Sequence, residues 1–262
     1  MLKFSANLTF LYSDKPLLER IACAGRAGFK AVEFMSPYEE KPEDIKKALD
    51  ENAVLMALFN TRAGKPGMGE RGYLAIAHGG DSVFADALAD VIRYATHLSC
   101  PRINVQAGIA PEGEAPAMTM DRVVERLRHA ADLFAGHGIN ALLEHCNRHD
   151  IPGYFIDTPD KAVEALRRVD RPNAKLQYDF YHAQRTSGEL VAFFRDHADM
   201  IDHIQIADNP GRNQPGTGEI NYTFVLSELE RLGYQGWIGL EYKPLPDADA
   251  SYGWMKEMGY AL

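Results

Sequence analysis

Four residues in the second half of the 262-residue chain have side chains suited to holding a hard cation: Glu144, Asp179, Gln205 and Glu241. Each ends or interrupts an apolar run, in Ala141-Leu142-Leu143-Glu144, Leu176-Gln177-Tyr178-Asp179, Ile204-Gln205-Ile206 and Ile238-Gly239-Leu240-Glu241. Singly, any of them reads as a surface or salt-bridged residue at a strand end. As a set they are three carboxylates and an amide, and carboxylates brought close raise one another's pKa unless a cation neutralises them. Oxygen donors without thiolate or imidazole favour Mg²⁺ or Mn²⁺ over Zn²⁺. His182, three residues beyond Asp179, either caps the following helix or, beside a metal ligand, meets a substrate oxygen as hydrogen-bond partner or acid. His145 directly follows Glu144 and so points to the other face of a strand, which favours packing. The remaining histidines, His78, His97, His129, His137, His149, His197 and His203, are assigned no role.

Such residues need strands to bring them together. Eight apolar runs of strand length recur, at 4–10, 31–35, 54–60, 103–107, 140–146, 175–179, 203–207 and 237–242. Each is followed by a helix-length segment with wider apolar spacing, the alternation of a parallel α/β protein. Strands buried on both faces should be apolar throughout, so an ionisable group near a strand's C-terminal end requires an explanation. Thr158-Pro159-Asp160 supplies a helix cap and a first-turn proline, with Pro172 stopping the helix. Further helices are expected over 222–232, closed by Gly233, and over 82–98 and 120–134. No Gly-rich phosphate loop follows an early strand, which disfavours an open doubly wound sheet and favours a single (β/α)₈ TIM barrel over residues 1–262. The long irregular segments 61–80, 147–157 and 209–221 all follow strands, where loops of this fold form the reactive face.

With 46% hydrophobic residues the chain can build one large core. No stretch approaches the roughly 18 apolar residues of a membrane span. The start, Met1-Leu2-Lys3-Phe4-Ser5-Ala6-Asn7, lacks a signal-peptide layout, so a cytoplasmic location without membrane attachment is expected. Cys23, Cys100 and Cys146 are odd in number and far apart, which fits reduced thiols. A net charge of -9 argues against nucleic acid as a partner. A homo-oligomer is compatible with all of this.

Further stretches carry a resemblance. They include Phe4-Ser5-Ala6-Asn7-Leu8, Gly28-Phe29 with Val32-Glu33-Phe34 and Pro37-Tyr38, Gly69-Glu70-Arg71-Gly72, and Asp150-Ile151-Pro152-Gly153. To these are added Gln177-Tyr178-Asp179 with Tyr181-His182, Ile206-Ala207-Asp208-Asn209-Pro210, the run from Pro215 to Tyr222, and Gly239-Leu240-Glu241-Tyr242-Lys243-Pro244. Over nearly its whole length the chain resembles the hydroxypyruvate isomerase family of xylose-isomerase-like barrels. The resemblance implies that Glu144, Asp179, Gln205 and Glu241 hold a metal, that Glu144 and Glu241 also transfer protons, and that His182 touches substrate. Related ketose 3-epimerases usually carry histidine where this chain has Gln205. The chain departs from the family at His145-Cys146, where a proline and an apolar residue are expected, and matches poorly over 73–81.

The implied reaction interconverts hydroxypyruvate and tartronate semialdehyde through an enediolate. It moves a proton between adjacent carbons, with a divalent metal, Mg²⁺ or Mn²⁺, stabilising the developing charge. The small acid substrate also needs a cationic seat, for which Arg212, Lys243 and Arg71 are the candidates. Alternatives on the same residues are a 2-oxo-tetronate isomerase or a ketose 3-epimerase. An endonuclease-IV-like DNA-repair enzyme would need several zinc ions and histidine-rich ligation. A non-catalytic sugar-acid binding protein would bind without turnover.

Overall fold

Short buried strands alternate with amphipathic helices along the chain, which a computed structural model describes over residues 1–64, 71–77 and 81–262. The elements are β1 (Lys3–Asn7), α1 (Leu17–Ala27), β2 (Ala31–Phe34), α2 (Pro42–Glu51), β3 (Leu55–Asn60) and α3 (Asp81–Leu98). Next come β4 (Arg102–Asn104), α4 (Pro116–Ala135), β5 (Asn140–Glu144), α5 (Pro159–Val169), β6 (Ala174–Asp179), α6 (Phe180–Thr186) and α7 (Leu190–His197). The chain ends with β7 (Ile201–Ile206), α8 (Tyr222–Arg231), β8 (Trp237–Leu240), α9 (Ala248–Ser251) and α10 (Gly253–Glu257). The strands pair in sequence order as a closed barrel, with β8 returning parallel to β1. This is the expected (β/α)₈ barrel. Within the expected motif at 69–72, Gly69 and Glu70 lie outside the described residues, as does His78.

All eight apolar runs become strands, several shorter than their hydrophobicity indicates. β1 stops at Asn7, where the amides of Phe10 and Leu11 turn back onto the Asn7 carbonyl at 3.2 and 2.9 Å. β4 stops at Asn104, yet Val105 and Ala107 beyond it are fully buried. Chain leaving the barrel mouth is covered by loops, so apolar character continues after the ladder has ended. The caps are as expected at α5, where Thr158 Oγ1 accepts from the Lys161 amide at 3.3 Å behind Pro159. Its stop comes earlier than Pro172, through Asp170 in the left-handed region at φ 51°. Helix α4 starts four residues before Met120, at Pro116.

Within the barrel one carboxylate is wholly enclosed. Glu33 on β2 accepts hydrogen bonds from Ser5 Oγ at 2.7 Å, His203 Nε2 at 2.8 Å, Gln205 Nε2 at 2.9 Å and Asn7 Nδ2 at 3.0 Å. Burial opposes its charge, but His203, Gln205 and Ser5 more than offset this and hold the carboxyl below its usual range. His203, assigned no role above, is therefore a partner of Glu33 across a separation of 170 residues. Gly239 on β8 makes the space, since a Cβ there would fall inside the Glu33 carboxylate. Gly239→Ala is expected to cost about 1–3 kcal/mol, as overpacking of a filled core does. Thermal denaturation checks this, and an unchanged Tm would mean that the Glu33 carboxylate does not need that space.

Candidate active site

Barrel register aligns the proposed site residues at one mouth. Asp179 on β6 lies opposite Gln205 on β7, and Gln205 opposite Gly239 on β8. Glu144 ends β5, and Glu241 follows β8, its amide donating to the Ile206 carbonyl at 3.1 Å. The outcome is a group of three buried carboxylates, Glu144, Asp179 and Glu241, each offering an oxygen within 4.8 Å of the others.

Their surroundings leave charge to be balanced. Burial first, and then the charge of Asp179, push Glu144 up to about 8. Burial likewise raises Asp179, and Glu241 well above the usual carboxylate range. Asn104 Nδ2 holds Glu144 Oε2 at 2.7 Å. Asp179 caps α6, its Oδ1 accepting from the amides of Tyr181 and His182 at 2.7 and 3.3 Å. Its buried Oδ2 has no hydrogen-bond partner among the described residues. An orphaned oxygen within a crowd of carboxylates fits a hard divalent cation, which takes oxygen ligands. Gln205 is held at both ends of its amide: the oxygen accepts from Gln177 Nε2 at 2.6 Å and the nitrogen donates to Glu33. The amide oxygen keeps a second lone pair.

Arg212 is the cation that reaches this cluster. Its Nη2 lies 2.9 Å from Glu241 Oε2 and 3.7 Å from Asp179 Oδ2, and the guanidinium stacks on Phe10 and Tyr181. Burial works against its charge, but Glu241, Asp179 and Glu144 hold its pKa above the usual value. The loop that delivers it is organised by Asp208, whose carboxylate accepts from the amides of Asn209, Gly216, Gly218 and Ile220 at 2.9–3.0 Å. Arg212 itself sits at φ 55°, in the left-handed region. Its amide donates to the Asp208 carbonyl at 2.9 Å, and its carbonyl accepts from the Lys243 amide at 2.7 Å.

The other expected substrate residues share the pocket. Arg71 and Lys243 line it from exposed positions, while His182 is buried with Nε2 3.6 Å from Asp179 Oδ2. Burial, and then the positive charge of Arg212, keep the His182 pKa well below normal, so its ring is neutral. His145 packs against Tyr178, ring centroids 5.6 Å apart, and neither of its nitrogens has a hydrogen-bond partner among the described residues.

Sequence reasoning missed Arg185, Asp150, Asn147 and Asn104. Arg185 lines the pocket one helical turn after Tyr181, whose hydroxyl it reaches at 2.9 Å, and that i,i+4 spacing was the available signal. Asp150 lies 3.7 Å from Arg185 and 4.0 Å from Arg212. Cys146 forms part of the wall, its Sγ within 4.8 Å of ligand atoms on Glu144 and His182. Burial, followed by the nearby carboxylates, pushes this thiol well above its usual pKa, so it stays protonated.

Comparison with known proteins agrees with this geometry. Residues 21–258 match the family described as xylose isomerase-like TIM barrel. The chain is 41% identical over 255 residues to hydroxypyruvate isomerase of Escherichia coli, covering 97% of this chain and 98% of that one. It is 39% identical over 254 residues to 2-oxo-tetronate isomerase of Pectobacterium atrosepticum, covering 97% of each. A crystal structure described as AP endonuclease, family 2, from Brucella melitensis superposes with a TM-score of 0.94 at 37% identity, covering 98% of this chain and 99% of that one. Near-complete coverage at such identity, on a barrel that gathers the carboxylates in one mouth, places this chain in the hydroxypyruvate isomerase family of xylose isomerase-like TIM barrels, as an isomerase.

Proposed function

We propose that the chain interconverts hydroxypyruvate and tartronate semialdehyde (2-hydroxy-3-oxopropanoate) with a bound Mg²⁺ or Mn²⁺. The observation that carries this reading is the buried cluster of Glu144, Asp179 and Glu241, with Arg212 and His182 beside it. Glu144, Asp179, Gln205 and Glu241 would hold the ion, which when bound supplies a Lewis acid to neighbouring substrate oxygens. Glu144 or Glu241 removes the proton from the hydroxymethyl carbon and returns it to the adjacent carbonyl carbon. The partner carboxylate moves the oxygen protons, with His182 as hydrogen-bond partner to a substrate oxygen. Asp179 and Gln205 act as holders, each fixed by hydrogen bonds of its own.

The substrate carboxylate is seated by cations of the pocket. Arg212 has Nη2 committed to Glu241, whereas its buried Nε has no hydrogen-bond partner among the described residues and is available to donate. Arg71, Lys243 and Arg185 surround the outer part of the same pocket. A four-carbon acid is the second reading, favoured by a 2-oxo-tetronate isomerase being nearly as similar as the hydroxypyruvate isomerase. DNA repair with histidine-rich zinc ligation is not supported. The groups with metal-ligand geometry among the described residues contain one histidine, His182.

Incubation with hydroxypyruvate in D₂O, followed by proton NMR, tests both turnover and solvent exchange. Glu144→Gln and Glu241→Gln keep an oxygen but lose the base, and at least one of them should lower kcat by about 10²–10⁴-fold and stop deuterium entry. Normal exchange in both, with metal bound, would exclude both as the proton carrier. Turnover of a four-carbon 2-oxo acid in preference to hydroxypyruvate would establish the second reading.

Metal binding should also depend on pH. A carboxyl raised to about 8 in the fold gives stability that is complete below its unfolded pKa and lost as pH rises through about 8. A divalent cation favours the ionised carboxylates, so the Tm gained with Mg²⁺ or Mn²⁺ over chelator should be small at about pH 5 and grow towards about pH 8. A gain that is absent at every pH defeats the metal site. Arg212→Ala should raise KM for hydroxypyruvate more than for an uncharged ketol of the same length, and equal effects would move the carboxylate seat to Lys243, Arg71 or Arg185.

A further inference from the structure

The position of the proton on His182 is fixed by what lies behind the ring. Asn147, on the loop after β5, has its amide oriented by its own chain. The side-chain oxygen accepts from the amides of His149 at 3.0 Å and Asp150 at 2.9 Å, so the nitrogen faces the other way. That Nδ2 donates to Asp150 Oδ2 at 3.2 Å and reaches His182 Nδ1 at 2.6 Å. The backbone amide of Asn147 also donates to His182 Nδ1, at 3.2 Å. Two donors from one residue therefore converge on a single ring nitrogen. Neither can accept, so Nδ1 must carry the lone pair, and a neutral imidazole then bears its hydrogen on Nε2. Nε2 is the atom that faces the carboxylate cluster, 3.6 Å from Asp179 Oδ2.

We propose that Asn147 is a positioning residue that locks His182 as the Nε2–H tautomer, making His182 a neutral hydrogen-bond donor to a substrate oxygen. This rests on the isomerase reading above. An imidazolium or an Nδ1–H tautomer would set an N–H against two N–H donors. The Nδ1–H form would also turn a lone pair toward Asp179. A neutral donor of this kind polarises a carbonyl, and stabilises the oxyanion that develops, without giving up its proton. The carbon-to-carbon proton transfer is left to a glutamate. Asn147 touches no reacting atom in this arrangement and acts through the imidazole.

The test begins with the parent protein loaded with Mg²⁺ and labelled with ¹⁵N in the histidine rings, its His182 signals identified by their loss in His182→Gln. Long-range ¹H–¹⁵N correlations at about pH 7.5 should show the Nε2–H pattern for His182. The double variant Asn147→Asp with Asp150→Asn keeps net charge and the oxygen that closes the loop turn, but places an acceptor against Nδ1. His182 should switch to Nδ1–H, and kcat for hydroxypyruvate should fall by about 10²-fold, the loss typical of one oxyanion donor. KM should change by less than about threefold, since the interaction is one of the transition state. An Nδ1–H or imidazolium pattern in the parent overturns the proposal, as does a folded double variant that retains Nε2–H. A switched tautomer with unchanged kcat overturns the role given to the donor. A parent that shows the Nε2–H pattern but converts none of the small acids overturns the isomerase reading and leaves the tautomer assignment standing.

Discussion

Apart from Asp208 in the loop after β7, four carboxylates among the described residues are buried in one end of this barrel, and most of what surrounds them serves to make that tolerable. Glu33, Glu144, Asp179 and Glu241 are all at most 6% exposed. Burying an ionised group without partners costs several kcal/mol, so each needs compensation or must remain protonated. The chain treats them in two ways. Glu33 is given four hydrogen-bond donors, and its charge is settled within the protein. The other three are left short of donors, with pKa values pushed upward. An unsettled cluster costs stability, but it is what gives a site affinity for a cation and a base able to take up a proton.

The two treatments are mechanically joined. Gln205, opposite Asp179 in the ladder, links them: its nitrogen donates to Glu33 and its oxygen accepts from Gln177. Rigid strands set these positions, whereas the mobile-looking chemistry of a long arginine is delivered from a loop. That loop is made rigid by other means: Asp208 gathers four amides, and Arg212 is held in a left-handed conformation by hydrogen bonds on both sides of its peptide. A non-glycine residue in this region typically stores about 1–3 kcal/mol, and such strain persists when the surroundings overdetermine it. Here it aims a guanidinium at Glu241.

The fold was legible because burial on both faces leaves strands apolar, and most exceptions to that rule are residues of the candidate site. Glu144, Asp179, Gln205 and Glu241 stand out as polar residues at the ends of such runs, and the ladder does gather them. Glu33 breaks the same rule within Ala31-Val32-Glu33-Phe34, but its meaning depends on His203 and Gln205, over 160 residues away, and on the room left by Gly239. Neither periodicity nor spacing encodes that meeting. Asn147 and Asp150 were hidden for a different reason. Loop residues that bond to their own backbone look like ordinary turn formers, and only the fold shows that the remaining donors meet a histidine. Strand ends were overextended because sequence hydrophobicity reports burial, and the covered barrel mouth is buried without being paired.

Cys146 bears on the choice of metal. With Glu144 and His182 it forms a second group whose ligand atoms lie within 4.8 Å of one another, a set that by composition would suit a softer ion. Its protonation states work against that. The thiol is pushed well above its usual pKa by burial and by the neighbouring carboxylates, and a coordinating cysteine must be a thiolate. His182 has its Nδ1 lone pair occupied by Asn147, and on the tautomer assigned above its Nε2 carries a hydrogen. That leaves Glu144, which gives up its proton at about 8, as the readiest ligand of the three, and Glu144 is shared with the all-carboxylate group. In the proposed metal site, the same negative charge that keeps the thiol protonated would draw a hard cation to Glu144, Asp179 and Glu241. A preference for an oxygen-loving ion would then follow from which nearby groups are able to lose their protons, beyond the identity of the ligands themselves.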